Sequence, residues 1–104
     1  MLTWHVNRVE RFYDQGTADV ANARASKAAR RAIHPEYADL ARRKIDALIA
    51  APALRDLALI PENMLELLKG DRAGQYSIRI NRQYRMCFLW TEHGARRIKI
   101  AHYH

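Results

Sequence analysis

Between Tyr76 and Ile80 apolar and polar residues alternate with period two, Tyr-Ser-Ile-Arg-Ile, which predicts a half-solvated strand. Tyr84 to Trp90 is a denser run of aromatic and bulky apolar residues and predicts a more buried strand, joined to the first by a hairpin at Asn81-Arg82-Gln83. Arg96 to Tyr103 alternates Ile98 and Ile100 with Arg97 and Lys99, a last strand that follows a turn at His93-Gly94. Met64 to Leu68 opens the sheet, and Lys69 to Gly74, with two glycines and Gly-Asp, forms a turn.

The first half has a different period. Tyr37, Leu40, Ala41, Ile45, Leu48 and Ile49 fall at i, i+3 and i+4 spacings behind Pro35, which predicts an amphipathic helix that Pro52 ends. Leu54 to Ile60 is a buried connection. Leu2, Trp4 and Val6 alternate as a short edge strand, with Asn7 placed to cap a short helix over residues 8–15 that Gly16 closes. Residues 17–33 are rich in alanine but lack a bulky anchor between Val20 and Ile33. They read as a partly helical, exposed connection carrying Arg24, Lys27, Arg30 and Arg31. Helices followed by consecutive antiparallel strands give an α+β domain, with N-terminal helices on one face of a small, mainly antiparallel sheet and the other face left for a partner. At 104 residues, the chain 1–104 reads as a single domain.

Alternation gives each strand two faces. With Tyr76, Ile78 and Ile80 towards the core, Ser77, Arg79 and Asn81 point to the other face; on the next strand Arg85, Cys87 and Leu89 share one face and Tyr84, Met86, Phe88 and Trp90 the other. Arg85 thus stands among apolar neighbours, where a cation needs an anionic partner. Taken alone, it reads as a structural Arg paired with Asp71 or Glu66. Taken with Lys69, Arg72, Arg79 and Arg82, it reads as part of an anion site.

Charge sharpens that picture. The net charge is +7 and the pI about 10.1. Residues 1–62 hold ten Lys/Arg against eight Asp/Glu, whereas residues 63–104 hold eight against three, so the excess lies on the sheet. A polyanion, with RNA or DNA as the first candidate, is the partner this favours, because neutralised phosphates release counterions; the competing account is a basic surface that only confers solubility. No run of apolar residues approaches membrane-spanning length, and no strongly basic amphipathic helix points to a membrane surface. The single cysteine, Cys87, permits no internal disulfide or Cys-rich metal site, and reads as a small core hydrophobe in a reducing cytoplasmic setting.

His102, Tyr103 and His104 gather three proton-handling groups at the end of the last strand. RNA cleavage by the ribose 2′-hydroxyl needs a base, an acid and cations around the crowded phosphate, all of which these residue types supply without a metal or other cofactor. Two competing readings are a disordered terminal His and a metal held by His102 and His104. No Ser/His/Asp triad is supported.

Ala41-Arg42-Arg43-Lys44-Ile45-Asp46-Ala47-Leu48, the segment Leu65 to Gly70 with Asp71, Arg72, Gly74 and Gln75, Tyr76 to Asn81, Tyr84-Arg85 and the terminal Tyr103-His104 together resemble the HigB-type toxins of the RelE/ParE superfamily, from bacterial type II toxin–antitoxin modules. The resemblance is close to full length and loosest over residues 1–35. It implies a RelE-like fold and a ribosome-dependent, metal-independent messenger RNA endoribonuclease that works in the cytoplasm until a helix-turn-helix, HigA-like antitoxin neutralises it. The toxin–antitoxin complex would bind operator DNA through the antitoxin. By motif, Lys69 and Arg85 would stabilise the scissile phosphate, Tyr103 and His104 would stack on the base and manage protons, and Arg72, Arg79, Asn81 and Arg82 would contact RNA or ribosome. His102 stands where the family usually has Asp and is the candidate to take over proton transfer. A further family histidine before the Lys-Gly turn has no counterpart here, where Glu66 and Leu67 stand. The alternatives are a non-enzymatic toxin acting on DNA gyrase, as in the ParE branch, and a binding module that acts only with its antitoxin as a repressor complex.

Overall fold

The computed structural model describes residues 11–103. In chain order it contains α1 (Gln15–Ala21), α2 (Lys27–Ala32), a 3-10 turn at Pro35–Tyr37, α3 (Ala38–Ala50) and α4 (Leu54–Ala58). Four strands follow, β1 (Glu66–Leu67), β2 (Gln75–Arg79), β3 (Tyr84–Thr91) and β4 (Gly94–His102). They form one antiparallel sheet in the order β1-β2-β3-β4.

The period-3.6 stripe does what it predicts: Ala41, Ile45 and Leu48 of α3 are fully buried against the sheet residues Ile78, Met86, Phe88, Ile98 and Ile100. Burying each of these larger side chains contributes roughly 1.5–3 kcal/mol, which makes this seam the main source of stability. The predicted strands are also in place: Ile78 and Ile80 face the core as expected, and of the two faces of the next strand it is that of Tyr84, Met86 and Phe88 that joins them. In the turn before β2, Gly70 and Gly74 take φ of +66° and +92°, backbone that favours glycine.

Three sequence expectations fail. Leu54 to Ile60 is not a buried connection: Leu54–Ala58 is α4, its start held by Asp56, which accepts from Ala53 N–H at 3.1 Å, and while Leu57 is buried, Leu59 and Ile60 face outward. The predicted helix over 8–15 is absent over residues 11–14, Gln15 being the first residue of α1. Residues 11–13 instead run beside β4: Phe12 bridges Ile98 in parallel, Tyr13 N–H donates to Ile98 O at 2.9 Å, and Ile98 N–H donates to Arg11 O at 2.9 Å. Pairing the edge of β4 outweighs the weak local helical period. The expected edge strand at Leu2, Trp4 and Val6, with its Asn7 cap, lies outside the described residues.

Residues 17–33 are not an exposed connection but two packed helices. Asp14 caps α1, accepting from Thr17 N–H at 2.9 Å, and Ser26 caps α2, accepting from Ala29 N–H at 3.0 Å. The missing bulk is explained by close approach: a Cβ on Gly16 would meet Ala28 O at 2.6 Å and Ala32 Cβ at 3.0 Å. Gly16 is therefore a helix-contact residue inside α1, not a helix terminator. Val20, Ala29 and Ile33 enter the core, Ser26 Oγ donates to Asp19 at 2.6 Å, and Thr17 Oγ accepts from Ile100 N–H at 3.1 Å, tying α1 to β4.

Candidate RNA-binding face of the sheet

With the helices on one side, the opposite face of the sheet is built in cross-strand rows. Arg79, Arg85 and Ala101 form one row, and Glu66, Ser77, Cys87 and Lys99 the next. Gln75 and Leu89 continue it towards the turn that carries Lys69. Tyr103 is anchored where β4 ends, its N–H donating to Gln83 O at 2.8 Å.

Arg85 and Tyr103 meet, as the strand period and chain end require. The guanidinium carbon of Arg85 lies 5.7 Å from the centre of the Tyr103 ring. Neither of the structural ion pairs considered for Arg85 is formed among the described residues. Instead, Arg85 Nε and Tyr103 Oη are both buried without a hydrogen-bond partner among the described residues, and so is Ser77 Oγ in the adjoining row. Buried donors left unpaired cost about 1–3 kcal/mol each, so three on one face form a site that gains from an acceptor-rich ligand. Burial, followed by the charge of Glu66, raises the Tyr103 phenol above its ordinary value, while Arg79 and Arg85 oppose that shift in part. At neutral pH Tyr103 is therefore a neutral hydrogen-bond donor and not a phenolate base.

The other predicted residues divide. Arg79 shares the row of Arg85, and its Nη1 reaches Met64 Sδ at 3.4 Å. Asn81 is occupied as a turn residue, since its side-chain carbonyl accepts from Gln83 N–H and Tyr84 N–H, each at 2.9 Å. Arg82 is exposed in that same hairpin. Lys69 precedes Gln75, itself four residues along β2 from Arg79 and so about 13 Å away by strand rise. Lys69 therefore belongs to the far end of the face. Arg72 folds back onto the Cys87 row, with Nη1 donating to Sγ at 3.4 Å.

His102 lies on the helix side, edge-on to the Tyr84 ring with centroids 4.8 Å apart, and opposite Tyr103. It also borders a 440 Å³ cleft along the edge of β4 that Arg31, Arg72 and Lys99 line. His104 is outside the described residues. Among those residues, no three His, Cys, Asp or Glu side chains converge as metal ligands would, and no helix is long and apolar enough to cross a membrane.

Three residues escaped sequence reasoning. Tyr13, Arg97 and Lys99 surround a second depression, of about 150 Å³, whose wall includes Arg72 and Cys87. Tyr13 comes from a segment more than eighty positions away, and Arg97 from a bulge opposite Cys87/Leu89, where it takes φ of +54°. Arg97 and Lys99, which share the parity of Tyr103, could have been found from the strand period, whereas Tyr13 could not. A further cleft of 230 Å³ lies among α1, α2 and α3, lined by Val20, Ala29, Ile33 and Ala38 with Arg24 and Arg42, and its described lining holds no imidazole, thiol or phenol.

Comparison with known proteins agrees with this architecture. The sequence profile of the family described as RelE-like toxin of type II toxin-antitoxin system HigB matches residues 4–102. Toxin HigB-1 of Vibrio cholerae serotype O1 is 46% identical over 50 residues, which cover 48% of this chain and 53% of that protein. The match thus spans about half the length of that relative. The profile takes in nearly the whole domain, helices and sheet together, and the chain belongs to the HigB family of RelE-like toxins of type II toxin–antitoxin systems.

Proposed function

We propose that the protein is the toxin of a type II module and inhibits translation by cutting messenger RNA in the ribosome, without a metal. The observation that carries this reading is the face on which Arg79, Arg85 and Tyr103 assemble with unpaired buried donors and, among the described residues, no ion-paired carboxylate. A phosphodiester supplies the missing acceptors, and charge-assisted hydrogen bonds to it are about twice as strong as neutral ones.

In the reaction the ribose 2′-oxygen attacks the adjacent phosphorus and the 5′-oxygen leaves. Negative charge grows on the phosphoryl oxygens, where Arg85, with Arg79 in its row, stabilises it. Tyr103, held neutral, donates a hydrogen bond to the same group or to the departing oxygen. Proton removal from the 2′-hydroxyl falls to an imidazole, and His104, next to Tyr103 in sequence, is the candidate. His102, packed on Tyr84 on the helix side, stands outside this step. Lys69, Arg72 and Arg82 extend the cationic surface along the RNA and ribosome.

The toxin works in the cytoplasm, its partner being a helix-turn-helix, HigA-like antitoxin through which the complex binds operator DNA. Purified toxin added to a translating system is the test: cleavage within the translated message, lost in Arg85→Gln, is expected. An intact message with inhibited DNA gyrase would replace this reading with the non-enzymatic one.

A further inference from the structure

Tyr13, Arg97, Lys99, Arg72 and Cys87 enclose the 150 Å³ depression beside the Arg85 row, and nothing in the reaction outlined above uses it. Its chemistry is specific. The Tyr13 ring carries two cations, the Arg97 guanidinium carbon at 4.8 Å and Lys99 Nζ at 4.7 Å from its centre. An aromatic face holds cations in place but does not neutralise them. Arg72 adds a third cation, fixed by its bond to Cys87 Sγ, and no carboxylate is among the described residues lining the depression.

The backbone is bent to make this arrangement. The bulge in β4 leaves Arg97, a non-glycine residue, at positive φ, a conformation that persists where surrounding structure enforces it. Parallel pairing of Phe12 with Ile98 then brings Tyr13 against the bulged strand.

We propose that this depression seats the phosphodiester one nucleotide away from the one held by Arg85, so that a single RNA strand runs along β3 and β4 with two consecutive phosphates bound. The spacing fits. Cys87 and Lys99, on the near wall of the depression, lie two residues along their strands from Arg85 and Ala101, about 7 Å by strand rise, a span that one nucleotide of an extended strand covers, while Gln75 and Leu89 form the far wall about 13 Å from the Arg85 row. Ser77, with its unpaired hydroxyl, shares the Cys87 row on the β2 side. This inference rests on the proposed RNA-cutting role of the Arg85 row and adds the direction and length of the bound strand.

The test compares 2′-O-methyl dinucleotides and trinucleotides without terminal phosphates, which carry one and two phosphodiesters and resist cleavage. Binding to the full chain is followed by NMR at the Tyr13 and Tyr103 rings and by fluorescence anisotropy across salt concentrations. The trinucleotide should shift both rings and bind about tenfold or more tightly than the dinucleotide, which shifts Tyr103 alone. The double variant Arg97→Gln/Lys99→Gln should bind the two oligonucleotides alike and lower the salt slope for the trinucleotide by about 0.7, one single-strand phosphate contact. Lys99→Arg in the Arg97 parent should keep the preference.

A trinucleotide that shifts Tyr103 and leaves Tyr13 unmoved, or a double variant that keeps the preference, overturns the second seat while the RNA-cutting role stands. Shifts at Tyr13 with none at Tyr103 for either oligonucleotide overturn the consecutive-phosphate arrangement together with the role assigned to the Arg85 row.

Discussion

Replacing Arg85 by Gln separates a catalytic contribution from a structural one, because its structural contacts are few. The guanidinium lies over Tyr103 at 5.7 Å, a cation–π contact worth about 0.5–1 kcal/mol at a partly exposed site. Against that, its Nε is buried without a partner, and removing an unpaired donor relieves a cost of about 1–3 kcal/mol. The relief equals or exceeds the loss. The variant should therefore melt no lower than the parent, and each 1 kcal/mol gained would raise the melting temperature of a domain of this size by roughly 4–8 °C. Transition-state stabilisation has no such offset: loss of one preorganised donor to the developing charge lowers the rate about 10²–10³-fold. Cleavage rates on a translated message, measured beside thermal melts of parent and variant, decide the matter. A variant as active as the parent removes Arg85 from the chemistry. A clear drop in melting temperature shows instead that its role is to hold the sheet together.

Gly16→Ala should destabilise the fold by about 1–3 kcal/mol in urea unfolding, because the new Cβ meets the Ala28 carbonyl, even though alanine is the better helix former; a stabilised variant would refute the close packing of α1 on α2. The Asp19 carboxyl is held below its ordinary value first by the Ser26 hydroxyl and then by Gln15, so the stability it contributes is full above pH 3.8 and is lost as pH falls through its lower folded value. Asp19→Asn should therefore flatten the acid limb of the unfolding curve, and an unchanged limb would contradict the assignment. Tyr103, raised by burial, should remain largely neutral at pH 10.0 in an ultraviolet titration, and the stability that its neutral form confers should fade as pH rises further; half-ionisation at or below pH 10.0 would show it to be open to solvent. His102→Ala should retain cleavage to within about tenfold, since geometry precedes pKa in general acid–base catalysis and its ring packs on Tyr84 away from Arg85; a loss as deep as that of Arg85→Gln would place His102 in the reaction.

What the sequence made legible follows the strength of its periods. The α3 stripe from Leu40 to Ile49 and the alternation through Ile78, Met86 and Ile100 each bury a continuous face, so they set the helix, the strands and the faces with few alternatives. The meeting of Arg85 with Tyr103 follows from the same parity, as does the separation of Tyr103 from His102. Small residues misled where bulk was the criterion. Gly16, Ala28, Ala29 and Ala32 let α1 and α2 approach closely, an arrangement that carries no amphipathic signal. The segment at Phe12 takes its structure from the edge of β4, not from its neighbours in sequence, and the Arg97 bulge breaks the alternation that strand reading depends on. The place of Tyr13 in the depression therefore had no local signature.

The central claim, that the Arg79–Arg85–Tyr103 face cuts RNA, is tested most directly by mapping 5′ ends on a message translated in a purified system with the parent protein, with Arg85→Gln and with Tyr103→Phe. The account predicts new ends inside the reading frame only when ribosomes translate it and strong reduction of those ends in both variants. Unbroken message at toxin concentrations that halt translation, or cutting that both folded variants perform as well as the parent, would contradict it.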